Sequence, residues 1–521
     1  MVRFRFDHDW FKAKIQWTVG EKAGVPLRGG RHMSRAGFSM RTEIRFFLNG
    51  RSRRVEGIAP STTMLDWLRS EGLTAVKEGC AEGDCGACSI LFGTPAADGQ
   101  SMKWRAVNSC ILMLPQADGR AIVTAEGLVD ADGKPHPAQQ GLADAHGTQC
   151  GFCSPGFAIA LAALSRQPAR DDETILDGLA GNLCRCTGYR PILDAARALP
   201  VVGASPDEAV MVAALRGDCS EPLDYRAAGR RFVAPHSLDV ALQVLAENPE
   251  AWILAGGTDL GLRVTKRHEE PACVLSLAHL PELHEIRRET AETVIGAAVS
   301  YADALDAVGA LAPSFGRMVR RIGAAQIRAM GTLGGNIGNA SPIGDSLPPL
   351  IALGATIETV SGDGRREIPV EDFITGYRKT ELKAGEIITA VRVPTPGPQT
   401  VVHVYKVARR VDQDISAVSA AFALDVEDGR VVGARVAYGG VADRPLRARP
   451  VEEALIGRSW TLETARAASP AVRASVSPID DARGSAAYRQ AVCVHLLERL
   501  WWETAGPADV PSTLDALEAV A

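Results

Sequence analysis

Residues Cys80 to Cys88 read CAEGDCGAC, three cysteines at C-x4-C-x2-C spacing, and a fourth, Cys110, follows in VNSC. Gly79, Gly83 and Gly86 separate the thiols. A loop that wraps an inorganic cluster needs such residues. Its N–H groups must turn inward toward sulfur, and the chain must pass through positive φ. C-x4-C-x2-C is the spacing of a [2Fe–2S] loop, whereas zinc sites use paired C-x2-C knuckles more often. The spacing therefore predicts a cluster on Cys80, Cys85, Cys88 and Cys110, with zinc as the competing reading.

The flanking sequence supplies a small sheet for that loop. Glu43 to Leu48 (EIRFFL) is strand-like, Asn49-Gly50 is a hairpin turn, and a second strand runs through Val55. Ser61 or Thr62 can cap a short helix, MLDWLRSEG, that stops at Gly72. Ser89 to Phe92, Trp104 to Val107 and Ala121 to Ala125 complete the strands. A mixed sheet crossed by one helix is the ferredoxin-like β-grasp plan, expected over 40–125.

From 126 to 200 the pattern turns helical, and four more cysteines appear. Cys150 and Cys153 lie in QCGFCSPG, and Cys184 and Cys186 in GNLCRCTGYRPI. Four thiolates from two helix ends suit either an S4 zinc site or a [2Fe–2S] cluster. The first cluster loop next door favours iron, because two redox centres in range of each other make a wire.

Eight of the 11 cysteines fall between Cys80 and Cys186, which points to metal rather than a disulfide framework. Thiolate clusters favour a reducing compartment, so a cytoplasmic location is expected. The net charge of −5 gives no reason to expect nucleic acid, and no apolar run is long enough to predict a membrane span. At 521 residues the chain is too long for one core. Residues 1–39 are basic and lack the apolar stretch of a signal peptide. They are expected to be a disordered extension or a misplaced start. Residues 201–222 carry Pro, Gly and Ser with little periodicity and read as a linker.

Two glycine-rich stretches follow. Ala251 to Leu262 reads AWILAGGTDLGL, a buried strand entering a Gly-Gly turn, and residues 323–349 read GAAQIRAMGTLGGNIGNASPIGDSLPP. So many small residues make a poor core and suit backbone wrapped around a ligand. No G-x-G-x-x-G follows a strand, so a Rossmann site is disfavoured. Beyond residue 398, strand patterns at Val401–Val407, Ser419–Leu424 and Val431–Tyr438 precede helical patterns through Glu452–Leu455 and Ala487–Thr504.

CAEGDCGAC, TQCGFCSPG and GNLCRCTGYRPI together resemble the double iron–sulfur region of the xanthine dehydrogenase and aldehyde oxidase family, in that family's order. The resemblance implies two [2Fe–2S] clusters on the eight cysteines named above. AGGTDLG and GTLGGN resemble the family's FAD domain, a vanillyl-alcohol-oxidase-like fold, expected over 223–398. By that resemblance Ile253, Leu254, Ala255, Gly256, Gly257, Thr258, Asp259 and Leu260, with Thr332, Leu333, Gly334, Gly335 and Asn336, would cradle the pyrophosphate and ribityl chain. Asp345 would make a polar contact to the flavin, Ile322 would sit where the family often has an aromatic, and Ile388 would pack near the ring. GYRKTEL, residues 376–382, is a further family-like stretch. Residues 399–510 resemble the family's α+β C-terminal flavoprotein domain, and Lys406 matches a lysine near the flavin. Without the resemblance, Lys406 reads as a strand-edge lysine and Ile388 as a core residue.

The expected architecture is thus α+β and multidomain. The resemblance implies the small subunit of a split, bacterial-type xanthine dehydrogenase, with a molybdopterin-binding large subunit as partner, NAD+ as co-substrate, the molybdenum cofactor in the partner only, and a heterotetramer as the assembly. An equivalent subunit of an aldehyde or aromatic-substrate hydroxylase, a stand-alone NADH:acceptor reductase and a zinc-braced scaffold are the alternatives.

Overall fold

The computed structural model describes residues 32–33, 39–129, 132–205 and 207–507. Most of the predicted extension at 1–39, and the predicted boundary at 510, lie outside the described residues. Within that extension His32–Met33 pairs antiparallel with Ser39–Met40.

The first unit is a five-stranded sheet in the order Arg51–Val55, Ile44–Leu48, Ala121–Val123, Ser89–Pro95, Met102–Asn108. Ile44–Leu48 pairs antiparallel with Arg51–Val55 and parallel with Ala121–Val123. The Asn49-Gly50 turn has positive φ at both residues, as the tightest hairpins require. Alternation sends Ile44, Phe46 and Leu48 inward. They meet helix Met64–Ser70, where Phe46 and Trp67 stack edge to face at 5.4 Å. The helix cap is Thr63, not Ser61 or Thr62: its backbone is extended, and its side chain accepts the Asp66 N–H.

The second unit is helical: Pro137–Asp144, Ser154–Leu164, Asp172–Leu179 and Arg190–Arg197. Ser154–Leu164 is apolar on all sides and buries every residue from Gly156 to Ala162, so it is the unit's central rod. The stretch read as a linker contains a helix, Asp207–Asp218. Its buried residues Glu208, Val212 and Leu215 fall at i, i+4 and i+7, a face too narrow to show against the small residues around it. Glu208 accepts hydrogen bonds from Met102 N and Trp104 Nε1 and pairs with Arg166 at 2.9 Å, fastening this helix to both preceding units.

Two sheets follow. The smaller has the order Trp252–Leu254, Cys273–Ser276, Arg230–Ala234, Leu223–Ala227, and its first three strands are parallel. The larger is antiparallel, in the order Ile286–Arg288, Glu292–Gly296, Ile387–Pro394, Thr356–Ser361, Gly364–Pro369. Arg41, held within the first unit by a buried ion pair with Asp118 at 2.6 Å, ties that unit to this region through its bridge to Leu223 and its bond to Glu221 O. The last unit is an antiparallel sheet of Thr400–Val407, Val418–Glu427, Arg430–Gly439 and Leu446–Arg447, packed against helix Ala486–Thr504. Among the described residues no helix is long and apolar enough to cross a membrane.

Candidate redox and cofactor sites

The Cys80–Cys88 loop curls because Ala81, Gly83 and Gly86 take positive φ. Its N–H groups then point at sulfur: Glu82, Asp84 and Cys85 donate to Cys80 Sγ at 3.4, 3.3 and 3.4 Å. Hydrogen bonds from the Cys110 and Cys85 thiols, with these N–H groups, hold Cys80 well below the ordinary thiol value. Cys88 is linked to Cys110 in turn. The four predicted cysteines therefore form one connected set, with backbone N–H groups turned toward sulfur as a bound thiolate requires.

The second set is also gathered. Cys186 Sγ lies 3.7 Å from Cys150 Sγ and 3.8 Å from Cys184 Sγ, and Cys153 stands beside Cys184. Burial pushes the Cys184 thiol up, but the Thr187 hydroxyl and N–H outweigh it and bring it to about 7. Cys150 and Cys186 are exposed. All eleven cysteines are free thiols. Of the three outside the motifs, Cys273 and Cys493 are buried and Cys219 is half-buried. Among the described residues no three His, Cys, Asp or Glu side chains focus on a point that could hold a single ion. Each set brings together four cysteines, the number of thiolates that a [2Fe–2S] cluster takes, so the donor sets fit such clusters.

The two thiol loops touch through their backbones. Leu183 N–H, one residue before Cys184, donates to Cys85 O at 3.0 Å. Asn182 Nδ2 donates to Gly86 O at 3.1 Å. This approach leaves no room for side chains: a Cβ on Gly86 would lie 2.2 Å from Gly181 O, and one on Gly156 would lie 2.3 Å from Gly86 O. From the other side Gln326 Nε2 donates to Asn182 Oδ1 at 2.7 Å, and Lys266 Nζ donates to Cys80 O at 2.5 Å. A cavity lined by Asn108, Ile111, Gly256, Thr258, Gln326 and Met330 marks the place where the first thiol set meets both glycine-rich loops.

Those loops are brought together as well. The first leaves strand Trp252–Leu254, turns at Gly257 (φ 82°) and enters helix Leu260–Thr265. The second ends in helix Leu333–Asn339, capped by Thr332, whose side chain accepts the Gly335 N–H. A Cβ on Gly256 would lie 1.7 Å from Met330 O, and one on Gly331 would lie 3.3 Å from Thr258 Oγ1. Leu254, Leu333 and Gly334 face the core, while Ile253, Ala255, Gly256, Gly257, Thr258, Asp259 and Leu260 are half-buried. Gly335 and Gly338 present bare backbone to solvent. Bare backbone along one open face, held by a second loop in contact behind it, is a cradle that fits a phosphate-bearing cofactor such as FAD.

The remaining predicted residues divide. Asp345 and Lys406 pair with each other at 2.7 Å, and Ser416 Oγ donates to the other Asp345 oxygen at 2.6 Å. Lys406, on the sheet's edge strand, is thus a buried ion-pair partner rather than a solvated lysine. Asn336 Oδ1 accepts from Ser346 Oγ at 2.7 Å. Arg378, from the GYRKTEL stretch, reaches Asn339 Oδ1 at 3.3 Å and Asp259 at 3.9 Å, bridging the two loops. Ile388 lies in strand Ile387–Pro394 against Gly338, at the edge of the core, and Ile322 packs half-buried on the same core. Sequence reasoning missed Asn182, Gln326, Ser346 and Ser416 although they stand inside or beside quoted motifs, and it missed Tyr301, which no local pattern marks.

The buried pair makes a prediction. Lys406→Met leaves the Asp345 carboxylate buried with only Ser416, at an expected cost of about 3–5 kcal/mol. Lys406→Met combined with Asp345→Asn recovers most of it. Thermal unfolding of the two variants checks this: equal losses in both would mean that the pair does not hold the site.

Four family models match the chain in sequence. They are the 2Fe-2S iron-sulfur cluster binding domain at 46–114, the [2Fe-2S] binding domain at 124–197, the FAD binding domain in molybdopterin dehydrogenase at 226–396 and the CO dehydrogenase flavoprotein C-terminal domain at 403–504. Xanthine dehydrogenase 1 of Arabidopsis thaliana is 31% identical over 85% of this chain and 38% of its own length. Aldehyde oxidase 4 of Cavia porcellus is 30% identical over 80% of this chain and 36% of its own. The chain thus spans a little over a third of the length of these curated relatives. Among solved structures, a chain of the carbon monoxide dehydrogenase of Hydrogenophaga pseudoflava, in a form that lacks the Mo-pyranopterin moiety of its molybdenum cofactor, is similar with TM-score 0.50. It is 31% identical, over 51% of this chain and 94% of that one. With two [2Fe–2S] domains, an FAD domain and the flavoprotein C-terminal domain in one chain, this protein belongs to the xanthine dehydrogenase and aldehyde oxidase family, as its electron-transfer component.

Proposed function

We propose that this chain carries electrons from a molybdopterin-bearing partner subunit, which oxidises hypoxanthine and xanthine to urate, through two [2Fe–2S] clusters and FAD to NAD+. Cys150, Cys153, Cys184 and Cys186 hold the cluster nearer the partner, and Cys80, Cys85, Cys88 and Cys110 hold the one nearer the flavin. The loops 253–260 and 332–336, with Ile322, Asp345, Ile388 and Lys406, hold FAD. The units are 40–125, 126–200, 223–398 and 399–510. When bound, the clusters supply one-electron relays and the flavin couples them to hydride transfer.

The observation that carries the reading is the junction at Gly86. There the Leu183 N–H meets Cys85 O, and Gln326 of the flavin unit holds Asn182. The chain's own contribution is spacing: glycines let the backbones meet, and buried amides fix the approach. Entry at the second thiol set is supported by its exposed Cys150 and Cys186, rimmed by the exposed apolar residues Phe152, Leu183 and Tyr189. An apolar patch around exposed thiols is a docking face. A molybdenum partner is supported by the match over 94% of a carbon monoxide dehydrogenase chain. The 30% identity to aldehyde oxidase 4 supports a second reading, an aldehyde-oxidising partner on the same electron-transfer chain.

The test measures two activities on one preparation. The chain alone is expected to reduce an artificial dye with NADH and to leave xanthine unchanged; adding the molybdenum-bearing partner is expected to give xanthine-dependent NAD+ reduction. Aldehyde turnover without purine turnover would select the second reading. Failure of NADH to reduce the flavin would remove NAD+ as the acceptor.

A further inference from the structure

Tyr301 lies behind the second glycine-rich loop, 4% exposed, at the start of helix Tyr301–Leu311. Its backbone N–H donates to Gly331 O at 2.8 Å, at the loop's entrance. Its phenol lies 3.2 Å from Ser346 Oγ, and Ser346 Oγ donates to Asn336 Oδ1 at 2.7 Å, at the far end of the same loop. Since the serine proton is committed to Asn336, the phenol donates and the serine oxygen accepts. One buried residue thus grips both ends of residues 331–336, once by main chain and once through a two-bond relay. The preceding residue adds a third tie, a β-bridge from Ser300 to Thr332.

We propose that Tyr301 is a positioning residue for the flavin. It holds the 331–336 loop in its binding shape before the cofactor arrives, and the relay through Ser346 fixes the Asn336 side chain. This rests on the reading that the loop holds FAD. Asn336 is half-buried, so without the relay its amide is free to turn. A loop that must be ordered on binding gives up affinity, whereas a pre-shaped one does not. The aromatic ring, by contrast, belongs to the surrounding apolar core, and Phe would fill the same space.

The experiment titrates FAD into flavin-depleted full-length chain, following flavin fluorescence, with iron content and the unfolding midpoint of the flavin-free chain recorded alongside. Tyr301→Phe is expected to raise the Kd for FAD about fivefold to tenfold, the worth of one buried hydrogen bond. Iron should stay the same and the flavin-free midpoint should barely move. Ser346→Ala should match it, and the double variant should be no worse than either, because both break one relay. An unchanged Kd in Tyr301→Phe overturns the proposal, as does a lowered midpoint with unchanged Kd, which is what a purely structural tyrosine would give. Effects that add in the double variant overturn the relay. Should Tyr301→Phe fail to fold, Ser346→Ala alone decides between the same outcomes. Gly256→Ala separates this proposal from the reading beneath it. If that variant loses FAD while Tyr301→Phe binds normally, the loop holds FAD and Tyr301 does not position it; if both bind normally, the loop assignment falls as well.

Discussion

Cys85→Ser is expected to remove one of two reduced-state EPR signals and halve the iron, from about four atoms per chain to about two, two per [2Fe–2S] cluster. Cys153→Ser is expected to remove the other signal and leave the first. The structure explains why each loss should stay local. Cys85 gives the neighbouring loop its carbonyl, which accepts from Leu183, and its thiol to Cys80 within its own set. Serine keeps the carbonyl and removes only the thiol. In the proposed assembly Cys85→Ser should stop substrate-dependent NAD+ reduction and spare NADH-to-dye activity, because the proposed electron order puts the break on the molybdenum side of the flavin. Elemental analysis, EPR and the two assays on one preparation check this. Stoichiometric zinc with about two irons in the unaltered chain would overturn the second cluster, and loss of both signals in Cys85→Ser would mean that the sets are not independent.

The thiol sets were legible because each ligand needs a cysteine at fixed spacing, and a turn that aims N–H groups at sulfur needs glycine nearby. The β-grasp sheet was legible for a related reason: EIRFFL alternates and Asn49-Gly50 permits only a tight hairpin. What escaped is whatever depends on partners distant in sequence. Helix Asp207–Asp218 has a narrow apolar face, and its buried Glu208 is acceptable only because Met102, Trp104 and Arg166 surround it. Lys406 reads alone as a strand-edge lysine, and only the fold brings it to Asp345, 61 residues away. Gln326 stood inside a quoted motif, yet its use is to hold Asn182, 144 residues earlier, so no local pattern reveals it. The local pattern was readable at the thiols; the geometry that joins the thiol sets was not.

That geometry is most exposed to test at Gly256. The first glycine-rich loop passes so near the second that a Cβ there would sit 1.7 Å from Met330 O, and the obstacle is backbone, which cannot rotate away as a side chain can. Gly256→Ala must therefore push the loops apart. The displacement falls next to Gly331, at the entrance to the Thr332-capped helix. The thiol sets lie on other elements, although Gly256 shares a cavity with Asn108 and Ile111 of the first unit. The expected product keeps its iron and both EPR signals and loses most of its FAD, at least tenfold in affinity. Its absorbance should show iron–sulfur bands without the flavin shoulder, and NADH-to-dye activity should fall with the flavin. Thr332→Ala, which removes the helix cap and adds no bulk, should weaken FAD binding less, by the about 1 kcal/mol that a cap is worth. Normal flavin content in Gly256→Ala would overturn the assignment of FAD to these two loops. Loss of iron together with flavin would show instead that the loop contact holds the first thiol unit in place, making Gly256 part of the interface between clusters and flavin rather than of the cradle alone.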